Sequence, residues 1–168
     1  MRVALTGTPG TGKTTASERT DTGLDVIHLN EVIEREDLYT DRDEDRGSLV
    51  ADIDAVRDWL GDREDVLVES HLAHHLDVEK VIVLRCHPEG IERRLEERDE
   101  PAETIAENAD SEALDVILTE AVETHGLDAV YEIDTTDRSP DAVATEIERV
   151  VAGEREPSAG TVSFVEYR

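Results

Sequence analysis

Apolar residues in this chain arrive in short, nearly unbroken runs separated by longer amphipathic stretches. The runs "RVALTG" (2–7), "LDVIHL" (24–29), "DVLVES" (65–70), "KVIVLRC" (80–86) and "AVYEID" (129–134) are rich in Val, Ile and Leu. Such near-continuous patterns mark strands buried on both faces, as in a parallel sheet. Between them lie stretches expected to be helical, at about 13–20, 31–36, 48–61, 88–98, 110–125 and 140–152. Two carry start signals. Ser139 precedes Pro140, and Pro88 opens "PEGIERRLEER", in which Ile91 and Leu95 share a face. Trp59 falls with Leu49, Ile53 and Val56 on the apolar side of the 48–61 stretch, a core pattern. The alternation predicts a single α/β domain over 1–168, a parallel sheet with helices on both faces. Two polar segments interrupt it, 36–50 and 98–108, and are expected to be loops or small lids over the ligand edge. The tail "GEREPSAGTVSFVEYR" fits either an edge strand or mobile chain.

The most specific signal lies where the first run meets the first helix. In "GTPGTGKTT" (7–15), Gly7, Gly12, Lys13 and Thr14 satisfy the phosphate-loop pattern G-x-x-x-x-G-K-[ST] in its required strand-to-helix setting. Glycines let successive backbone N–H groups turn inward around a phosphate. Lys13 then reaches the outer phosphates, and the Thr14 hydroxyl is suited to ligate Mg²⁺. A nucleoside triphosphate site is expected. The chain has no N-K-x-D guanine motif, "DWLG" (58–61) lies at a helix end rather than after a strand, and AAA-type and other large ATPases need more chain. A small nucleotide kinase with an acceptor-binding insertion after the second strand and a short lid is the class that remains.

Charge changes the picture of the surface. There are 43 acidic and 17 basic residues, a formal net charge of −26, and only Lys13 and Lys80 are lysines. A lysine retained in the phosphate loop of a chain that otherwise avoids lysine strengthens the loop's reading. The acids are spread along the whole length, which favours adaptation to concentrated salt over a nucleic-acid mimic. A broad basic nucleic-acid face is excluded by the same balance. No run has the length of a membrane span and the N-terminus enters a strand directly, so a cytoplasmic protein is expected. A monomer is expected as well. The lone Cys86 fits a reducing compartment and a small apolar role.

The segments "GTPGTGKTT", "ESHLAHHL", "VIVLRCHPEGIERRLEER", "IAEN" and "EALDVILTEA" occur in the order found in the adenylate kinase isoenzyme six family of archaea and eukaryotes. The chain resembles that family over about residues 3–150. The resemblance implies a nucleoside-monophosphate-kinase-like fold and transfer of the γ-phosphoryl group of MgATP to AMP. It also implies an accompanying ATPase and a part in small ribosomal subunit maturation through a small-subunit ribosomal protein. Carried over residue by residue, Gly10, Gly12, Lys13, Thr14 and Thr15 form the ATP-binding loop. Glu69 and His71 match the acid-x-His motif after the third strand, and Arg98 opens the lid over ATP. Thr135 and Thr136 fall in the adenine-contacting loop. Catalysis would rest on Lys13, Glu69, His71 and Arg98, with Thr14 and Glu69 toward Mg²⁺. In the acceptor segment, about 30–53, Arg35, Arg42 and Arg46 are candidates for the acceptor phosphate. The lid, about 98–108, departs from the family in being acidic, with Asp99, Glu100, Glu103 and Thr104 in the region where Gly-Tyr and a lysine are usual. An ATP-gated assembly factor with incidental kinase turnover, or a kinase for another small acceptor, are the alternatives.

In "VLVESHLAHHL" (66–76), Glu69 and His71 stand two apart at a strand end and are expected to project to one side. A structural zinc through His71 and His75, four apart if a helix begins there, lacks any accompanying cysteine or H-E-x-x-H pattern. His74 and His75 are therefore expected on a helix surface or in packing. His28 ends the second run, either near the acceptor or in packing.

Overall fold

The computed structural model describes residues 1–43 and 48–167. In chain order the elements are β1 (Arg2–Thr6), α1 (Lys13–Ser17), β2 (Asp25–His28), α2 (Leu29–Arg35), β3 (Tyr39–Asp43), β4 (Ser48–Ala51), α3 (Ile53–Leu60) and β5 (Val66–Glu69). There follow β6 (Lys80–Arg85), α4 (Pro88–Glu97), α5 (Ala102–Ala113), α6 (Val116–His125), β7 (Val130–Asp134) and α7 (Pro140–Val151). All five apolar runs become strands of one parallel sheet in the order β2-β5-β1-β6-β7.

Each buried run serves both faces by alternation. Val3, Leu5, Leu67, Ile82, Leu84 and Ile133 pack with Ala16 of α1 and Val143, Ile147 and Val150 of α7. Ala4, Val66, Val68, Val81, Val83 and Val130 pack on the opposite face with α2, α3 and α6, through Val32, Val56 and Ile117 among others. Each such side chain taken fully from water contributes about 1.5–3 kcal/mol, so neither face tolerates a register slip. The register brings Glu69 level with both Leu5 and His28, and Arg85 level with Asp134. Gly7, Glu69, Cys86 and Thr135 therefore emerge along one sheet edge, where open α/β sheets bind ligands.

The departures from expectation have local causes. The 48–61 stretch is not one helix: β3 and β4 form an antiparallel hairpin, and Asp52 then caps α3 by accepting from Ala55 N at 3.1 Å. Trp59 packs against the core as expected. The 110–125 stretch is broken at Asp115, whose φ of 55° places it in the left-handed region and separates α5 from α6. The 98–108 segment is mostly helical, since Pro101 starts α5, leaving residues 98–101 as the loop. Asp37 and Asp99 are also left-handed, and they end α2 and α4 with paired bonds (Asp37 N to Glu34 O, Leu38 N to Ile33 O; Asp99 N to Glu96 O, Glu100 N to Leu95 O). These are the bonds a glycine usually supplies in that position. The tail forms no strand among the described residues. It runs beside β7, with Ser158 N bonded to Val130 O and Thr161 N to Glu132 Oε1. Cys86 is buried against Ile91 and Leu95, and burial raises its thiol pKa, as its small apolar role requires. Among the described residues no helix is long and apolar enough to cross a membrane.

Candidate functional site

β1 feeds the loop 7–12 into the centre of the sheet edge, between the ends of β5 and β6. Gly7 is obligatory there. A Cβ on it would sit 2.7 Å from the Leu84 carbonyl oxygen and 2.9 Å from Thr11 Oγ1. Gly12, at φ 92°, turns the chain into α1 in a conformation that side chains rarely adopt. Lys13 is buried, and its Nζ donates to the carbonyls of Gly7 (2.9 Å) and Thr8 (3.2 Å). Burial pushes its ammonium down to about 8; Glu69 works against that shift and Arg98 adds to it.

Thr14 Oγ1 donates a short hydrogen bond to the buried Glu69 carboxylate at the end of β5. A hydroxyl and a carboxylate side by side form an oxygen donor set suited to a hard divalent cation, so these residues fit Mg²⁺. His28, at the end of β2, stands beside Glu69 with Nδ1 3.6 Å from its carboxylate. His71 follows Glu69 into the same cavity. Burial first, and then the Lys13 charge, push its imidazole down to about 4, so it is neutral at physiological pH.

Three cavities line up along this edge. The first, about 240 Å³, is bounded by Thr11, Gly12, Thr15, Ala16, Arg94, Glu97, Arg98, Thr135, Arg138, Pro140 and Val143. The second, about 170 Å³, is bounded by Pro9, Gly10, Gly12, Lys13, Thr14, Asn30, Glu69, His71 and Arg98. Asn30, Ile33, Glu34, Leu49, Ala51, His71 and Leu72 bound the third, about 260 Å³. Gly12 and Arg98 are shared by the first two, and Asn30 and His71 by the second and third. The loop glycines, Lys13, Thr14, Glu69, His71 and Arg98 are thus brought together around one central compartment.

Thr135 and Thr136 divide. Thr135 lines the first cavity, its Oγ1 3.2 Å from the Thr11 carbonyl and 2.9 Å from that of Arg85. Thr136 Oγ1 instead accepts from His87 N at 2.9 Å, a bond that positions the start of α4. Arg35 and Arg42 are not among the residues lining the third cavity; Arg35 is exposed beside Glu36 at 3.4 Å. Arg46 lies outside the described residues. The zinc pairing of His71 with His75 is not formed: Ala73–His75 is a single 3-10 turn, and His71 belongs to the phosphate compartment. His74 is buried, in keeping with the packing role that was one of its two expected places.

Several side chains that line or brace these cavities were not singled out from the sequence. Arg94 donates to the Gly10 carbonyl at 3.0 Å and lines the first cavity. Its signal was present, since it stands four residues before Arg98 on one helix face. Asn30, which accepts from Ser70 Oγ at 2.7 Å, and Glu34 had no such signal. Glu112 of α5 is buried and accepts from Thr8 Oγ1 (3.1 Å), Cys86 N (2.7 Å) and Arg85 Nε (3.2 Å). It ties the phosphate loop to α5 and to β6. Burial raises its carboxyl pKa, while Arg85 opposes the shift.

Comparison with known proteins follows this geometry. Residues 3–115 match a family model described as an AAA domain. Chain length had argued against AAA-type ATPases, and this match overturns that exclusion; it takes in the phosphate-loop core and stops at Asp115, short of β7 and α7. A protein of Halobacterium salinarum (strain R1) named "Putative adenylate kinase" is 64% identical over 168 residues, with 99% of each chain covered. Proteins of the same name from Natronomonas pharaonis and Methanocaldococcus jannaschii are 61% identical over 167 residues and 38% identical over 172. The first alignment covers 99% of each chain, and the second 99% of this chain and 94% of its relative. Among solved structures, shikimate kinase from Bacteroides thetaiotaomicron aligns with a TM-score of 0.55 at 20% identity, over 90% of this chain and 98% of that one. At that identity the likeness is one of fold. The chain therefore belongs to the family of these archaeal adenylate-kinase-named proteins, built on a P-loop kinase-like fold.

Proposed function

We propose that the protein is an adenylate kinase of the isoenzyme six type, transferring the γ-phosphoryl group of MgATP to AMP with release of two ADP. The row of three joined cavities carries this reading. A simple nucleotide hydrolase needs a base compartment and a phosphate compartment; the third, across Asn30 and His71, suits an acceptor. The name borne by the relatives supports the same choice.

In-line transfer demands positioning and charge neutralisation rather than covalent catalysis. Lys13 exchanges its bonds to the Gly7 and Thr8 carbonyls for bonds to phosphate oxygens. Arg98, at the junction of base and phosphate compartments, adds a second cation, and Arg94 holds the loop in shape through Gly10. Thr14 and Glu69 would hold Mg²⁺, which when bound neutralises charge on the phosphates. The apolar walls Ile33, Leu49, Ala51 and Leu72 suit a base, and the Glu34 carboxylate suits the exocyclic amine of adenine. An AMP phosphate is already an anionic nucleophile. Water is not, and Glu69 with neutral His71 would orient it for the accompanying ATPase reaction.

The expected result is two ADP from ATP plus AMP in molar KCl with Mg²⁺, and loss of both kinase and ATPase turnover in Lys13→Ala. Failure to form ADP, or turnover retained in that variant, overturns the assignment. A series of nucleoside monophosphates as acceptors separates an AMP kinase from a kinase for another small acceptor. A second reading, an ATP-gated factor in small ribosomal subunit maturation, is favoured by the carboxylate excess, which suits a basic ribosomal protein. It predicts ATP-dependent capture of a small-subunit protein.

A further inference from the structure

The turn after β5 gathers a second set of chemically able side chains that the nucleotide site does not use. The 3-10 turn Ala73–His75 sets the rings of His74 and His75 side by side, centroids 4.2 Å apart, facing Glu120 of α6. His74 Nε2 lies 2.9 Å from Glu120 Oε1, and His75 Nε2 lies 4.0 Å from the same oxygen. One ligand-capable atom from each of the three falls within 4.8 Å of the others. We propose that these residues form a binding site for a divalent transition cation of the zinc class, with two imidazoles, one carboxylate and a fourth position open to water.

The donor set selects the cation. Two nitrogens and one oxygen suit zinc and its neighbours, whereas Mg²⁺ and Ca²⁺ take oxygen ligands. Tetrahedral zinc, with bonds of about 2.0–2.2 Å, spaces its ligand atoms roughly 3.3 Å apart. The Glu120–His74 separation must open slightly and the Glu120–His75 separation close by less than an ångström. His75 and Glu120 are free to make these adjustments, their side chains being 33% and 43% exposed.

His74 is the fixed member. It is 1% exposed, and its Nδ1 lies 2.8 Å from Thr6 Oγ1, on the strand that leads into the phosphate loop. A threonine hydroxyl accepts from Nδ1–H as readily as it donates to Nδ1. In the accepting arrangement it leaves the Nε2 lone pair aimed at the cluster, the outer-shell bond that orients metal-binding imidazoles. The turn itself is anchored where His125 Nε2 meets the His74 carbonyl at 2.7 Å. A plain His74–Glu120 hydrogen bond accounts for one imidazole only. His75, its ring tilted 39° against that of His74 yet beyond hydrogen-bond reach of the carboxylate, is placed by the cation reading. A cation here would clamp the turn that carries His71 onto β1 and α6.

Full-length protein stripped with chelator and returned to molar KCl without nucleotide is titrated with Co²⁺ and then Zn²⁺. One equivalent should bind, giving the visible bands of four-coordinate Co²⁺, which Zn²⁺ abolishes. Zinc at a hundredfold over its Kd should raise Tm on the order of 5–10 °C. His75→Ala and Glu120→Gln should each weaken binding at least tenfold while keeping the wild-type circular dichroism spectrum, and Glu69→Gln should bind as wild type does. Absence of stoichiometric binding overturns the proposal, as does binding that survives both substitutions or that is lost in Glu69→Gln instead.

Discussion

Lys13 is a cation held out of water with two carbonyls for company. Its folded-state pKa, about 8, lies below its ordinary value of 10.5. The unfolded chain therefore binds more protons between those values, so this residue's contribution to stability rises as pH climbs from 8 to 10.5 and is lowest below 8. That cost is what a bound phosphate relieves. The Kd for MgATP should stay level from about pH 6.5 to 7.5 and weaken above pH 8 by up to about tenfold per pH unit, as the free enzyme loses its charge. Calorimetric titration checks this, and Lys13→Met should bind weakly with the pH dependence gone. His71 behaves oppositely in range: its neutral form persists to about pH 4, so no acid limb near 6.5 should come from it. At this scale the sequence was most readable where one motif dictates geometry. Lys13, Thr14 and Glu69 meet because loop and strand end are fixed by short-range rules, whereas Asn30 and Glu34 enter from a helix whose approach depends on packing over the whole sheet face.

Elements were legible where a single rule acted without competition. The five strands followed from apolar continuity. The helix boundaries around Asp52 and Asp115 were obscured because apolar spacing runs through both, while an N-cap in one and a left-handed backbone in the other overrule it. The hairpin β3–β4 had no such spacing to announce it, and its charged strand Tyr39–Asp43 passed for loop. Helix α5 is the element whose role was least visible from sequence, because Glu112 joins loop, strand and helix through tertiary bonds alone. Glu112→Ala would strand the Thr8 hydroxyl, the Cys86 N–H and the Arg85 Nε–H in a buried setting. Arg85 retains Glu132 at 2.7 Å and Asp115, so its charge stays paired. Each buried donor left without its acceptor costs about 1–3 kcal/mol. Thermal unfolding in molar KCl should show that loss, and Glu112→Gln, which keeps an acceptor oxygen, should recover part of it. An unchanged Tm in Glu112→Ala would mean that α5 is not coupled to the loop.

At the scale of the molecule the dominant fact is a formal charge of −26 on 168 residues. Surface ion pairs such as Arg19–Asp141 and Arg57–Asp54 are exposed and offset little of it. The Debye length falls from about 10 Å at 0.1 M salt to about 3 Å at 1 M, so repulsion among spread carboxylates is screened across that interval. Tm should therefore climb steeply from about 0.1 M to 1 M KCl and flatten beyond, where screening is already complete. Hydrophobic strengthening by salt also raises Tm, and charge removal separates the two effects. Asp37, Asp99 and Asp137 are exposed and left-handed, and asparagine tolerates that backbone as well as aspartate does. A variant carrying Asp37→Asn, Asp99→Asn and Asp137→Asn thus loses three charges without a conformational penalty. It should gain several degrees of Tm in dilute buffer and nothing in molar KCl. A gain that is equal at both salt concentrations would assign the effect to the local preference of asparagine for the left-handed backbone, and not to the charge of the whole surface.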